Sequence, residues 1–153
     1  MEAARLARPD DALACQTLLE GALATVRTQR GGAALAGEIS AGTLIEHWLV
    51  PSDQLALYVG EFGGAVVGLL AVCTFVRPGA EAPSGQVECC YVEEEARGVG
   101  VGSALMESAV QWCQAAGCAD MDARALPGDR ATKQRLEAAG FSARLLILNR
   151  RLR

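Results

Sequence analysis

Residues 86–116 constrain the fold more than any other part of the chain. They open with a β-rich run, QVECCYV, pass through EEEARGVGVGS, and become a helical pattern with Val101, Ala104, Leu105, Ala109, Trp112 and Ala116 on one side. A strand, a glycine turn and a helix thus follow one another without a linker. Such a junction places the first turn of the helix, with its unpaired N–H groups and the positive end of its dipole, at the end of a strand. Gly98, Gly100 and Gly102 remove Cβ atoms there and admit positive φ angles. The chemistry this predicts is a cradle for an anion, a phosphate in particular.

The flanking segments say what the junction is built into. Residues 55–62 and 65–77 are two β-rich runs separated by Gly63 and Gly64, which reads as an antiparallel hairpin. Their near-continuous apolarity predicts a central place in a sheet. Upstream, residues 2–8 predict a short first strand, and Pro9, Asp10 and Asp11 start a helix running to about residue 29. Leu13, Leu18, Leu19, Leu23 and Val26 give that helix its apolar stripe. Residues 31–37 read as a loop, and residues 41–49 as a shorter helix ended by Pro51. Downstream, residues 118–125 predict a fifth strand, Asp129 caps a last helix over 130–139, and residues 141–152 predict a final strand. This order describes one α/β domain over residues 1–153, a mixed, mostly antiparallel central sheet with helices on both faces.

Composition removes several alternatives. The net charge is −4, and residues 1–119 carry 14 acids against 6 bases, which disfavours nucleic acid as a partner. No apolar stretch is long enough to predict a membrane span, and the first residues lack a secretory pattern, so a cytoplasmic protein is expected. Six cysteines without a CxxC pair, and with one histidine in the chain, predict buried thiols and no metal site. A dinucleotide fingerprint fails because Ser103 stands where its third glycine belongs. A Walker loop fails because Lys133 is the only lysine.

What remains is Arg97-x-x-Gly100-x-Gly102 between a strand and a helix. It resembles motif A of the GNAT family of acyl-CoA-dependent N-acyltransferases. YVEEEARGVGVGSALMESAV resembles the strand and helix that flank that motif, LEAAGF at 136–141 the end of the following helix, and YVGEFGGAVVG the preceding hairpin. The resemblance covers residues 54–152 and implies the GNAT fold, acetyl-CoA or another acyl-CoA as co-substrate, and an amine on a small molecule, peptide or protein as acceptor. It implies that Gly98 and the amides of Val99, Gly100, Val101, Gly102 and Ser103 hold the pyrophosphate, with Arg97 adding charge. The main chain of Tyr91 and Val92 would pair with the pantetheine arm as an added strand. Asp129 stands where relatives contact the pantetheine, although a helix cap explains it equally well. Arg130 and Lys133 are candidates for the 3′-phosphate end.

Acyl transfer to an amine needs a group that removes a proton. Glu88, an ionisable residue between Val87 and Cys89 in a strand pattern, is the candidate base, and it matches a glutamate found in relatives. Glu93, Glu94 and Glu95 read as a solvated loop face. Relatives carry a tyrosine as general acid where this chain has Leu136, which leaves Tyr58 and Tyr91 as substitutes, Tyr91 being the candidate. His47 and Trp48 are candidates for the acceptor pocket. The missing tyrosine keeps open a second reading, a module that binds acyl-CoA as a sensor without turnover. The apolar run LLIL at 145–148 suits either a sheet shared in a homodimer or the core of the chain, and core is the expectation.

Overall fold

The computed structural model describes residues 2–153. Its centre is a five-stranded sheet in the order β1 (Glu2–Leu6), β2 (Leu55–Phe62), β3 (Ala65–Phe75), β4 (Ser84–Val92), β5 (Asp120–Asp122). Neighbours from β1 to β4 run antiparallel, and β5 lies parallel to β4. This is the mixed, mostly antiparallel sheet that the sequence predicts.

Two layers of helix cover the sheet. Helices α1 (Ala12–Arg27) and α3 (Ala41–Trp48) pack over Leu57, Val59, Leu69 and Ala71. On the other face α4 (Val101–Ala115) sets Val101, Leu105, Ala109 and Cys113 against Ala56, Leu70, Val72 and Val87. Leu69 to Val72 of β3 are fully buried because successive residues feed opposite cores, which explains the uninterrupted apolar run in the sequence. The start of α4 lies so close to β2 that a Cβ on Gly60 would stand 2.4 Å from Val101 Cγ1. Only glycine fits that crossing.

Local chemistry sets the helix starts. Ser40 caps α3 by accepting from the Thr43 N–H at 3.2 Å. Asp11 does more than begin α1. Its carboxylate accepts from Arg5 Nη1 at 2.8 Å, from Arg5 Nη2 at 3.0 Å and from the Arg8 amide at 2.7 Å, while Arg5 Nε donates to Glu61 at 2.9 Å. One buried carboxylate therefore ties the edge strand β1 to α1, and through Arg5 to β2. The Arg5 guanidinium beside it holds the Asp11 carboxyl below its usual value of 3.8, against the upward push of burial.

Three expectations are corrected. Within residues 31–37 a short helix forms, α2 (Gly32–Ala36), because Gly31 takes a left-handed φ of 78° and Gly32 packs where a Cβ would lie 1.6 Å from the Val26 carbonyl oxygen. The fifth strand has three residues rather than eight. Residues 141–152 form no strand, and LLIL does not enter the core: Leu145, Leu146, Ile147 and Leu148 are exposed. A strand needs an edge to pair with, and the three residues of β5 offer too short a one. Between them, α5 (Arg130–Ala138) buries none of its residues.

The Asp11 ties generate a test. Because the folded-state pKa is depressed, the stabilisation is complete above pH 3.8 and is lost as the pH falls below it. Asp11→Asn is expected to lose about 2 kcal/mol at pH 7, the scale of a charged buried hydrogen bond. Urea denaturation of both proteins at pH 7 and pH 3 checks this, with the gap closing at the lower pH.

Candidate active site

The site begins with an unfinished strand pair. β4 is paired with β3 from Ser84 to Val92, yet with β5 only at Ser84–Asp120, Gly85–Met121 and Gln86–Asp122. Beyond Gln86 the two parallel strands part. The edge of β4 over residues 87–92 faces an opening, and alternate main-chain N–H and C=O groups point into it. An extended ligand segment can pair there.

A β-bulge sits at the start of that opening. Val72 opposes Val87 and Ala71 opposes Cys89, so Glu88 is the additional residue on β4. Bulges re-aim side chains, and this one turns Glu88 towards the helical layer of α1 and α3. Its Oε1 accepts from the Cys73 thiol at 3.2 Å, and its Oε2 lies 3.6 Å from Arg124 Nη1. Cys73 in turn lines a cleft of about 430 Å3 with His47, Val50, Gln54 and Thr74. One wall of the cleft therefore leads directly to the Glu88 carboxylate. Burial and the neighbouring Glu88 push the Cys73 thiol up to about 12, and burial does the same for Cys89. These sulfurs stay protonated at neutral pH and are poor nucleophiles.

The far end of β4 meets the glycine turn. Gly98 and Gly100 take φ angles of 82° and 94°, which only glycine adopts readily, while Gly102 is already helical. Gly100 caps α4 without a side-chain hydrogen bond, and no acid stands in the first turn. The amides of Val101, Gly102 and Ser103 have no carbonyl four residues back inside the helix. Those N–H groups stand where the sequence predicts an anion cradle, with the Glu2 side chain close to Gly100. Arg97 stands beside it: Nε donates to the Val92 carbonyl at 3.0 Å, and the guanidinium lies 5.7 Å from the centre of the Tyr91 ring. Val99 is exposed on the rim.

The other candidates are sorted by face. Tyr91 lies on the α1 side, its hydroxyl against Gly21 of α1, where a Cβ would come within 3.0 Å. Tyr58 packs into the opposite, α4 core, and burial raises its pKa. It is thus removed as a substitute acid. His47 is exposed and lines the cleft, whereas Trp48 is buried in the α1–α3 core and does not line it. Asp129 caps α5, accepting from Thr132 N at 3.1 Å and Thr132 Oγ1 at 2.7 Å. Arg130 and Lys133 are exposed on the same helix, and Lys133 is 3.6 Å from Glu137. Leu136 is half-buried there. Cys73 and Arg124 escaped the sequence reading. Arg124 follows β5 by the same two residues that separate Glu88 from Gln86, a signal legible only once that pairing is known.

The Acetyltransferase (GNAT) family model matches residues 28–141 of the chain. No curated protein matches it. Among solved structures, a ribosomal-protein-alanine N-acetyltransferase from Brucella melitensis biovar Abortus 2308 shares 18% identity at a TM-score of 0.74, with 99% of each chain covered. A transcriptional regulator from Bacillus halodurans C-125 shares 19% at 0.79, covering 99% of this chain and 100% of its own. Glucosamine-6-phosphate N-acetyltransferase from Arabidopsis thaliana shares 16% at 0.73, covering 100% and 99%. Likeness at these identities shows a common fold.

The raised thiols give a direct expectation. At pH 7.5 iodoacetamide should modify Cys73 at least about a hundredfold more slowly than free cysteine, whose pKa is near 8.5. Mass spectrometry of the labelled peptides measures the ratio, and comparable rates would contradict the burial described here.

Proposed function

Because the chain belongs to the GNAT family of acetyltransferases, we propose that it transfers an acetyl group from acetyl-CoA to an amine by direct attack, with both substrates bound together. The observation that carries this reading is the open edge of β4, which runs from Glu88 at one end to the α4 cradle at the other. An acyl donor laid along that edge has its phosphates at the helix N-terminus and its thioester near the bulge.

In this reading the amides of Val99 to Ser103 hold the pyrophosphate, with Gly98 and Gly100 shaping the turn and Arg97 adding charge. Tyr91 and Val92 offer main-chain groups to the pantetheine arm, which adds as a strand. Arg130 and Lys133 serve the 3′-phosphate. Asp129 acts by starting α5, since Thr132 already uses its carboxylate.

The acceptor enters through the cleft beside His47 and meets Glu88. An aliphatic amine is ammonium near neutral pH, so a proton must leave before nitrogen attacks the carbonyl carbon. Glu88 receives that proton, directly or through a water. Main-chain N–H groups on the open edge stabilise the developing oxyanion. The C–S bond then breaks and the thiolate leaves; with Leu136 bringing no hydroxyl, Tyr91 or solvent protonates it. A thiolate of ordinary pKa, about 8.5, needs no dedicated acid. The protonated cysteines favour direct attack over an acyl-enzyme. The acceptor is an amine-bearing small molecule, peptide or protein. Leu136 favours the second reading, a CoA-binding sensor without turnover, and the same experiment separates the two.

Calorimetry with acetyl-CoA and a thiol-release assay over a panel of amines test the proposal. Micromolar binding with acceptor-dependent thiol release is expected, whereas binding without release under every acceptor supports the sensor. Glu88→Gln should lower kcat by about a hundredfold or more with acetyl-CoA affinity little changed, the range for a lost general base. Gly100→Val should do the reverse and weaken acetyl-CoA binding, because φ near 94° is strained for a β-branched residue. Undiminished turnover in Glu88→Gln removes Glu88 as base, and absence of any CoA binding removes the reading as a whole.

A further inference from the structure

We propose that Cys73 and Arg124 are positioning residues for Glu88, each holding one carboxylate oxygen so that the free lone pairs stay directed at the cleft. The inference rests on Glu88 being the base of the proposed acetyl transfer. The bulge creates the need. A residue outside the ladder has no cross-strand partner to fix it, and a glutamate side chain left free spreads over many rotamers. A general base must lie within hydrogen-bond reach of the proton it takes, and a misplacement of about 1 Å can cost roughly a hundredfold in rate.

Two elements supply the holding groups. Cys73 of β3 donates its thiol proton to Glu88 Oε1 at 3.2 Å. Arg124, two residues beyond the end of β5, places Nη1 3.6 Å from Oε2. Met121 and Ala123 pack against the α4 core, so Asp122 and Arg124 alternate onto the opposite face, where Asp122 is already taken by Arg77 and Arg144. Among the described residues, Glu88 is the only acid within ion-pair reach of Arg124.

The strengths of the two contacts suit a base. A carboxylate offers about four acceptor positions, and a thiol, a weak donor, occupies one of them without using up the rest. Burial, aided by the neighbouring Glu88, pushes the Cys73 thiol up to about 12, so the donor keeps its proton at neutral pH. The guanidinium at 3.6 Å is too distant for a hydrogen bond, and the Arg124 side chain is 50% exposed. Such a pair adds little to the stability of the fold and acts on the direction of Oε2. Cys73 also lines the cleft beside His47, so the held carboxylate stands at the wall past which the acceptor arrives.

Steady-state kinetics, with the amine that gives the fastest thiol release, and alkylation of Cys73 test the proposal together. Cys73→Ala and Arg124→Met should each lower kcat by about tenfold, the scale of one lost hydrogen bond, with both KM values within about twofold. Cys73→Ser, which keeps a donor, should recover most of the loss. In a Glu88→Gln background neither replacement should matter by more than about twofold, because the three groups act as a unit. Alkylation by iodoacetamide needs no turnover. Glu88→Gln should make Cys73 react severalfold faster by removing the carboxylate that holds its proton, and Arg124→Met severalfold slower by removing the cation that favours the thiolate. Circular dichroism checks that each variant folds. Undiminished kcat in Cys73→Ala and Arg124→Met beside a slowed Glu88→Gln overturns the positioning and leaves the base in place; undiminished kcat in Glu88→Gln, or no turnover with any amine, overturns both. A raised KM for the amine at unchanged kcat in Arg124→Met makes Arg124 an acceptor-binding group instead. Alkylation rates equal in the unaltered chain and both variants overturn the contacts themselves.

Discussion

The structure turns on where β4 stops pairing with β5. Three residue pairs join the strands and then β5 ends, while β3 holds β4 along its other edge as far as Val92. An exposed edge is normally a liability, because its main-chain groups invite any passing strand. Here β5 leaves residues 87–92 of β4 unpaired on that side, and in the proposed reading an extended ligand pairs with them. The neighbouring strand β3 is anchored by Leu69 to Val72, which are fully buried.

The bulge at Glu88 depends on the same pairing. Had β4 stayed in regular register with β3, the side chain at 88 would share the fate of its neighbours and be committed to a core. One additional residue frees it from the ladder and leaves it 3.2 Å from a thiol on the cleft wall. Carboxylate, cleft and open edge then meet at one place. The two tyrosines show the same geometry at work: Tyr91 and Tyr58 sit on opposite faces of the sheet, so only Tyr91 stands near the gap.

Local features were legible in the sequence, and relations between distant strands were not. The strand–glycine–helix junction could be read because its parts are adjacent: Gly98 and Gly100 carry the positive φ angles, and α4 begins directly after them. The hairpin over Gly63 and Gly64 and the cap at Asp129 are equally local. The bulge was invisible because it is a mismatch between Ala71–Val72 and Val87–Cys89, and neither segment announces it alone. Arg124 was invisible for the same reason. The strand expected over 141–152 failed from the opposite cause: its apolar run LLIL reads as a strand, yet a local pattern provides no edge to pair with.

Electrostatics divides the work between near and far. The body of the chain is acidic, and in the proposed reading this charge draws a cationic amine and repels a phosphate-bearing donor at long range. In the proposed reading donor binding therefore rests on short-range contacts at the α4 terminus, with its first-turn amides, a favourable dipole and no acid in the first turn. Arg97 adds positive charge beside that terminus, held by its bond to the Val92 carbonyl, while the Glu2 carboxylate lies close to Gly100. Arginine suits that post because its five donors let one serve the strand end while the others stay free for a phosphate. In the proposed reading, recognition of the donor at this terminus rests on backbone geometry more than on charge, since the Glu2 carboxylate lies close to Gly100.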